Sequence, residues 1–204
     1  MEYLALIFFV ISTSGTPGPN NVLILTSGVN HGFVKSIPHL VGINVGFPIM
    51  VISVGFGVMS IFQRWPILHQ VLQIIGILYL LYLAYKVATT KFEADSEKTS
   101  KPFTFMQALL FQWVNPKAWV MAVSSIIIFS SAEANGYWEV VTIALFYILF
   151  GTPCTVTWLF SGIFLQKYLH NEQYLRLFNY AMAFVLILSL VPMVLELFLG
   201  TQSS

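Results

Sequence analysis

Two proline-containing interruptions in apolar segments are the feature of this chain that most constrains its fold. They are the runs Thr16-Pro17-Gly18-Pro19-Asn20-Asn21 and Asn115-Pro116-Lys117. Proline lacks a backbone donor and clashes with the preceding helical turn, so each run is expected to open a helix. Backbone opened within a membrane is tolerated only where protein or a water-filled cavity satisfies its polar groups. Interrupted segments at corresponding positions of two halves are typical of the substrate site of a transporter.

The composition places those segments in a lipid bilayer. Hydrophobic residues make up 57% of the 204-residue chain and charged residues only 8%, whereas a soluble domain carries about 25% charged residues. About 20 apolar residues cross the hydrocarbon core as a helix. The sequence therefore predicts an all-α membrane protein with six transmembrane helices, at about 3–28, 38–62, 66–87, 104–130, 138–165 and 176–199. Pro38, Pro66 and Pro102 are expected to begin helices, where a missing N–H is harmless. The first segment is expected to be a mature span, because no positive n-region precedes it.

The basic residues indicate how such a chain is oriented. The loops at 29–37, 88–103 and 166–175 lie on one side of a six-helix arrangement. At or near them are Lys35, Lys86, Lys91, Lys98, Lys101, Lys167 and Arg176, whereas the opposite side carries only Arg64. Short loops rich in Lys and Arg stay in the cytoplasm. Both termini are therefore expected outside.

The polar stretch from Thr89 to Lys101 divides the chain into two three-helix halves, 1–95 and 96–204, of one integral membrane domain. Because three is odd, the second half enters the membrane from the opposite side. The two breaks then lie at similar depths, in helices 1 and 4. The pattern predicts two inverted repeats, with both helices broken at mid-membrane.

The chemistry expected at the breaks is anion binding. A new half-helix begins after Pro19 and again after Pro116, and its first N–H groups lack partners and carry positive potential. A carboxylate suits such a place. Asn20, Asn21 and Asn115 add amides that could hold a carboxylate or an ammonium. The alternative is that the prolines only kink the helices, and that the asparagines cap the freed groups.

Lys117 is the one formal charge deep in a predicted span. Intramembrane ionisable residues are costly and often functional. Lys117 could balance a substrate carboxylate or exchange a proton, since burial lowers the pKa of a lysine. The alternative is that it snorkels toward an interface.

Other polar and small residues are weaker candidates. Asn44 and the hydroxyls of Thr152, Thr155, Thr157 and Ser161 could line a polar path, or bond to their own helices. Gly42 and Gly46 are expected to pack against another helix, and Gly32 to be a turn residue. The histidines at 31, 39, 69 and 170 are expected at interfaces or in solvent. The predicted substrate-binding set is Pro17, Gly18, Pro19, Asn20, Asn21, Asn44, Asn115, Pro116 and Lys117.

The residues around both breaks resemble a known family. The matching elements are Thr16-Pro17-Gly18-Pro19-Asn20-Asn21, His31-Gly32-Phe33, Val41-Gly42-Ile43-Asn44-Val45-Gly46, Leu72-Gln73-Ile74-Ile75-Gly76-Ile77-Leu78-Tyr79-Leu80 and Gln112-Trp113-Val114-Asn115-Pro116-Lys117-Ala118. From about residue 10 to 125 the chain is similar to the LysE/RhtB family of bacterial amino-acid exporters. It is most similar to the cysteine/O-acetylserine exporter branch. The resemblance implies a small secondary exporter of the inner membrane that expels amino acids or their derivatives, driven by the proton gradient in at least some members.

Two other classes of protein stay open as alternatives. One is a metal-ion exporter on a similar scaffold, although the predicted spans have no Asp, no paired Cys, and no Glu away from their ends. The other is a non-transporting membrane partner of a larger complex. No catalytic cluster, cofactor motif or metal-ligand spacing is found, and the net charge of +1 argues against a nucleic-acid partner. Cys154 is the sole cysteine, so no disulfide is expected within the chain. The sequence leaves the exact substrate, the coupling ion and a homo-oligomeric state open.

Overall fold

The computed structural model of the protein describes residues 2–58, 61, 64–90, 102–131, 136–169, 171–191 and 194–195. Every regular element in those ranges is helical, which confirms the predicted all-α class. The helices are α1 (Tyr3–Gly15), α2 (Pro19–Ser53, extended by a π-helical turn at Val54–Val58), α3 (Pro66–Ala88), α4 (Phe105–Phe111, followed by a 3₁₀ turn at Gln112–Val114), α5 (Pro116–Phe129), α6 (Gly136–Phe146, followed by a π-helical turn at Tyr147–Gly151), α7 (Thr152–Gln166) and α8 (Glu172–Leu188).

Helix α2 is a hairpin of two limbs, residues 19–31 and 33–53, that meet at Gly32. This glycine has φ 71° and ψ −173°, a conformation that L side chains rarely adopt. The hydroxyl oxygens of Ser27 and Ser36 lie 2.8 Å apart, whereas nine residues of a straight helix would rise about 13.5 Å. The second limb therefore folds back along the first, and the predicted turn at Gly32 is confirmed.

Apolar surface on the outside of the helices shows where lipid is needed. Large side chains stand exposed on several elements, as in Val34 at 75%, Ile127 at 74% and Trp138 at 74%. Three helical runs are long and apolar enough to cross a membrane, namely Pro19–Val58, Gln70–Ala88 and Gly136–Gln166, and the first of them contains both limbs of the hairpin. The apolar helix before the first break and those on either side of the second break are shorter. The structure is that of a multi-pass membrane protein.

The helix starts agree only in part with the prolines predicted to mark them. Pro66 is the first residue of α3, as expected. Pro38 instead lies inside the second limb, because the hairpin turn comes earlier and the helix restarts directly after it. Pro102 also precedes its helix. The start of α4 is set by Thr104, whose hydroxyl accepts from the backbone of Gln107 at 3.2 Å, while the Gln107 side chain accepts from the backbone of Thr104 at 3.0 Å.

The remaining helix bounds lie close to the predicted ones. Helix α3 covers the segment predicted at 66–87, and α6 and α7 together cover 138–165. The segment predicted at 104–130 is present as α4 and α5, divided at the second break. Most of the polar stretch, from residue 91 to 101, and the end of the last predicted span lie outside the described residues.

Two glycines bring α4 against the second limb. A Cβ at Gly42 would lie 2.5 Å from the backbone oxygen of Phe105, and one at Gly46 would lie 2.8 Å from the Cα of Leu109. No larger residue fits at either position without moving backbone, so the predicted packing role of both glycines is confirmed. The contact holds the end of α4, and hence the second break, beside the hairpin.

Candidate functional site

Both predicted helix breaks are present. Helix α1 ends at Gly15, Thr16 and Gly18 are extended, and the hairpin begins at Pro19. The 3₁₀ turn after α4 ends at Val114, and Asn115 is extended at φ −88° and ψ 111° before α5 begins at Pro116. Proline has no backbone N–H. As the first residue of each new helix it therefore leaves no additional N–H without a hydrogen-bond acceptor.

Side chains satisfy the backbone carbonyls left open at the end of α1. The Asn21 amide donates to Ser14 O at 2.8 Å and to Thr16 O at 2.7 Å. The indole of Trp158 donates to Gly15 O at 3.2 Å. Capping of this kind is what the alternative interpretation of the prolines, as simple helix kinks, predicts. The contacts give each of these backbone carbonyls a hydrogen-bond donor from the protein.

Lys117 spans the two breaks. Its ammonium donates to Thr16 O at 2.5 Å, to the Thr16 hydroxyl at 2.8 Å and to Pro17 O at 3.3 Å. Its aliphatic stem lies directly against the Cα of Gly18, where an added Cβ would overlap Cδ of the lysine. The side chain therefore points across to the first break.

A second bridge joins the breaks through two amides. The amide of Asn20 donates to Gln112 Oε1 at 2.8 Å, and that of Gln112 donates back to Asn20 Oδ1 at 3.2 Å. Gln112 is fully buried and also donates to Ala108 O at 2.8 Å. Gln112 was not predicted as a site residue, although an amide in an apolar segment three residues before Asn115 was a usable signal.

Asn115 caps the second break. Its side-chain oxygen accepts from the backbone N–H of Lys117 at 3.2 Å, and the residue is 2% exposed. At the first break the corresponding cap position is Gly18, which has no side chain to cap the first turn of the hairpin. The N-terminus of the hairpin therefore keeps more of its positive potential than that of α5 does.

One cavity, which we call the central cavity, lies where the two breaks face each other. It holds about 520 Å³ of empty space out to its mouth. Six residues of the predicted site line it, namely Gly18, Asn20, Asn21, Asn44, Asn115 and Lys117, whereas Pro17, Pro19 and Pro116 shape the backbone behind it. Its other wall is mainly apolar and includes Ile43, Phe47, Ala118 and Met121. Lys117 carries the one formal charge among the described lining residues.

Hydroxyl-bearing residues complete the polar wall, namely Thr13, Ser14, Tyr147 and Thr155. Thr155 donates to Asn44 Oδ1 at 3.0 Å as well as to its own helix, whereas Thr157 and Ser161 bond to their own helix. Tyr147 is 3% exposed, and its hydroxyl lies beside the side chains of Thr13 and Ser125 without a hydrogen bond of standard geometry in the described ranges. Tyr147 was not predicted, because one phenol in an apolar run carries no pattern.

The expected placement of the histidines is wrong for His39, which is 1% exposed. Because the turn at Gly32 comes before the expected start of the helix at residue 38, His39 lies further from the end of the second limb and is buried there. His31 is half-buried. The side chain of His69 and the whole of His170 lie outside the described residues.

Comparison with known proteins gives a consistent picture. The family model described as LysE type translocator matches residues 11–195. Curated relatives named "Cysteine/O-acetylserine efflux protein" occur in Escherichia coli O1:K1 / APEC, in strain 536 / UPEC and in strain K12. Each is 30% identical over 179 residues, which cover 88% of this chain and 90% of the relative. No solved structure matches the chain at a significant level.

Proposed function

Because this chain belongs to the LysE type translocator family, we propose that it exports small amino acids or their derivatives across the bacterial inner membrane. The family consists of transporters rather than enzymes, and its curated relatives here are named for cysteine and O-acetylserine efflux. Those names support a short, polar amino acid as the substrate class. We include coupling to the proton gradient in the proposal, as the family resemblance implies.

The observation that carries the proposal is the meeting of both helix breaks at one cavity. The N-termini of the hairpin and of α5 both contribute to its lining, together with the ammonium of Lys117. No acidic side chain is found among the lining residues that the structure describes. Such a place favours a carboxylate strongly over an isolated cation.

The same contacts suggest how a zwitterion would bind. Lys117 now occupies the backbone oxygens of Thr16 and Pro17. A substrate carboxylate would draw the lysine ammonium toward itself, and the substrate ammonium would take the released carbonyl oxygens. One ammonium replaces another, so neither carbonyl oxygen loses its charged donor during the exchange. Tyr147 and Thr155 are placed to meet a short polar side chain.

The architecture proposed for transport is a pair of inverted three-helix repeats, residues 1–95 and 96–204, with six spans and both termini outside. The two bridges, Lys117 to Thr16 and Asn20 to Gln112, each join one half to the other. Rocking of one half against the other would expose the central cavity to each side in turn. Leu23 and Phe111, 5% and 1% exposed, belong to the packed layer on the hairpin-turn side of the cavity.

Neither alternative class has a supporting observation. No group of three His, Cys, Asp or Glu side chains converges within the described residues, so no ligand set for a metal ion is at hand there. The role of a non-transporting partner would not require two helix breaks that share a cavity.

The decisive experiment is efflux from proteoliposomes. Vesicles containing the purified protein are loaded with a panel of labelled amino acids, a proton gradient is imposed, and the loss of label is followed. Short polar amino acids are expected to leave faster than from protein-free vesicles. Thr157→Val is the matched control, because its hydroxyl bonds to its own helix and does not line the central cavity. Equal efflux of every compound from vesicles with and without protein would refute the proposal.

A further inference from the structure

A second cavity, which we call the hairpin cavity, lies toward the turn at Gly32. It is lined by Thr26, Asn30 and His31 of the first limb, His39 of the second limb, Lys86 of α3, and Phe103, among others. It holds about 420 Å³ of empty space out to its mouth. Leu23 lines the hairpin cavity and Asn21 lines the central cavity, so the two cavities are neighbours along the first limb, about 3 Å apart in helical rise.

The imidazole of His39 is the unusual group in this cavity. The residue is 1% exposed, and neither ring nitrogen has a hydrogen-bond partner among the described residues. One face of the ring packs on Phe103, with centroids 4.9 Å apart. A buried polar group without a partner costs about 1 to 3 kcal/mol. An imidazole held this way in a cavity therefore indicates a ligand that supplies the missing hydrogen bond.

The surroundings of His39 favour an anionic ligand. Lys86 lines the hairpin cavity, and no acidic side chain does so among the residues that the structure describes. Lys35 and Lys86 lie close to His31, so this end of the protein carries positive charge. The amide of Asn30 is already committed to Thr26 O and to Asn179 Oδ1. The imidazole of His39 is thus a buried polar group without a hydrogen bond in a cavity whose charged lining, among the described residues, is basic.

We propose that the hairpin cavity is a second amino-acid site, in which the ring of His39 donates a hydrogen bond to the carboxylate of an incoming substrate. This inference rests on the proposed export function, since it supplies the site from which the central cavity is filled. Both cavities line the same hairpin, and the packed side chains of Leu23 and Ile43 lie between them. The basic residues near the turn put the hairpin cavity on the cytoplasmic side, where export begins.

The test is the binding stoichiometry of the full-length protein in lipid nanodiscs, measured by equilibrium dialysis with labelled L-cysteine under reducing conditions. The wild type is expected to bind two equivalents. Gly18→Leu, which fills the central cavity, should keep one equivalent, and His39→Phe should keep only the other. His39→Gln retains a side-chain donor and should keep both, with the second site weakened less than tenfold.

Two further ligands identify what the hairpin cavity recognises. In Gly18→Leu protein, cysteamine, which lacks the carboxylate, should bind at least tenfold more weakly than cysteine. Inorganic phosphate should not displace cysteine there at equal concentration. Displacement by phosphate would show a general oxyanion site and would overturn the proposal.

The stoichiometries separate this inference from the proposed function. The equivalent that remains in His39→Phe shows that the variant is folded. Two equivalents in His39→Phe would overturn the second site. If Gly18→Leu kept every equivalent of the wild type while His39→Phe lost one, the central site would fail and the hairpin site would stand.

Discussion

Replacing Gly18 by Ala tests whether the central cavity depends on the position of Lys117. The φ of Gly18 is −176°, an extended conformation that alanine adopts without strain. The effect of the new methyl group is therefore steric. Its Cβ would overlap Cδ of Lys117 and would lie 3.3 Å from Cε and 3.2 Å from Nζ.

The magnitude follows from the hydrogen bonds that the lysine would lose. Its stem must swing away from Gly18, and the ammonium then leaves Thr16 O and Pro17 O. One hydrogen bond to a charged group contributes about 1.5 to 3 kcal/mol. If the displaced ammonium fails to make one such bond to the substrate carboxylate, binding weakens about 10- to 100-fold, because each 1.4 kcal/mol is a factor of ten. Gly18→Leu, with a larger side chain, should abolish export while the protein stays in the membrane.

The assay is initial efflux from proteoliposomes as a function of the internal substrate concentration, with protein amounts matched by immunoblot. Gly15→Ala is the control, because it adds the same methyl group at the same break with nothing within 4 Å of its Cβ. It should transport like the wild type. A Lys117→Ala background provides a second check, since Gly18→Ala should cost nothing further when the stem is absent.

Two results would refute this reasoning. Equal transport by Gly18→Ala and Gly15→Ala would show that the contact between Gly18 and Lys117 has no role in export. An additional loss caused by Gly18→Ala in the Lys117→Ala background would show that the methyl group acts on something other than the lysine.

Four other predictions follow from the central cavity and the charge pattern. Lys117→Met should lose nearly all export, whereas Lys117→Arg should keep part of it if the charge meets a carboxylate. If Lys117→Arg instead loses driven export but keeps passive exchange, the lysine carries the coupling proton, since arginine stays protonated. Normal export against a gradient by Lys117→Met would exclude both roles. Gln112→Leu leaves the amide of Asn20 without its partner and should lower the thermal midpoint of the purified protein, by an amount that corresponds to about 1 to 3 kcal/mol; an unchanged midpoint would contradict the bridge. Tyr147→Phe removes a hydroxyl that makes no hydrogen bond of standard geometry within the described structure, although Thr13 and Ser125 lie beside it. Stability should therefore change little, while efflux of a hydroxylated or thiol-bearing substrate slows. Unchanged selectivity across the panel would exclude contact with the substrate. A phosphatase fused after Ser204 should be active outside the cytoplasm, and activity of a cytoplasmic reporter at that position would overturn the proposed orientation.

The helices and their breaks could be predicted from the sequence, because they depend on residues that are close together in the chain. Proline has no backbone N–H, so Pro19 and Pro116 favour the start of a helix whatever the rest of the chain does. Gly32 was likewise predictable as a turn. The start of the second limb was misplaced, because Pro38 was expected to begin a helix that the turn at Gly32 starts earlier.

The contacts across the central cavity were not predictable, because each joins residues that are distant in sequence. The amides of Asn20 and Gln112 are 92 positions apart, and the ammonium of Lys117 reaches Thr16 over 101 positions. Hydropathy reports how polar a segment is and leaves open which other segment it faces. The burial of His39 was missed for the same reason, since its surroundings include α3 and Phe103, which one limb of the hairpin cannot reveal.

The open carbonyls at the end of α1 have a consequence for biogenesis. Asn21 follows α1 within a few residues of the chain, but Trp158 and Lys117 both belong to the second half of the chain. At roughly 5 to 20 residues per second, the ribosome delivers Lys117 about 5 to 20 seconds after Thr16. During that interval Pro17 O has no lysine to accept from, and water or the insertion machinery must serve instead. A chain that stops before α5 keeps this defect permanently, so truncated products present an unfinished membrane helix to the proteases that survey newly inserted proteins.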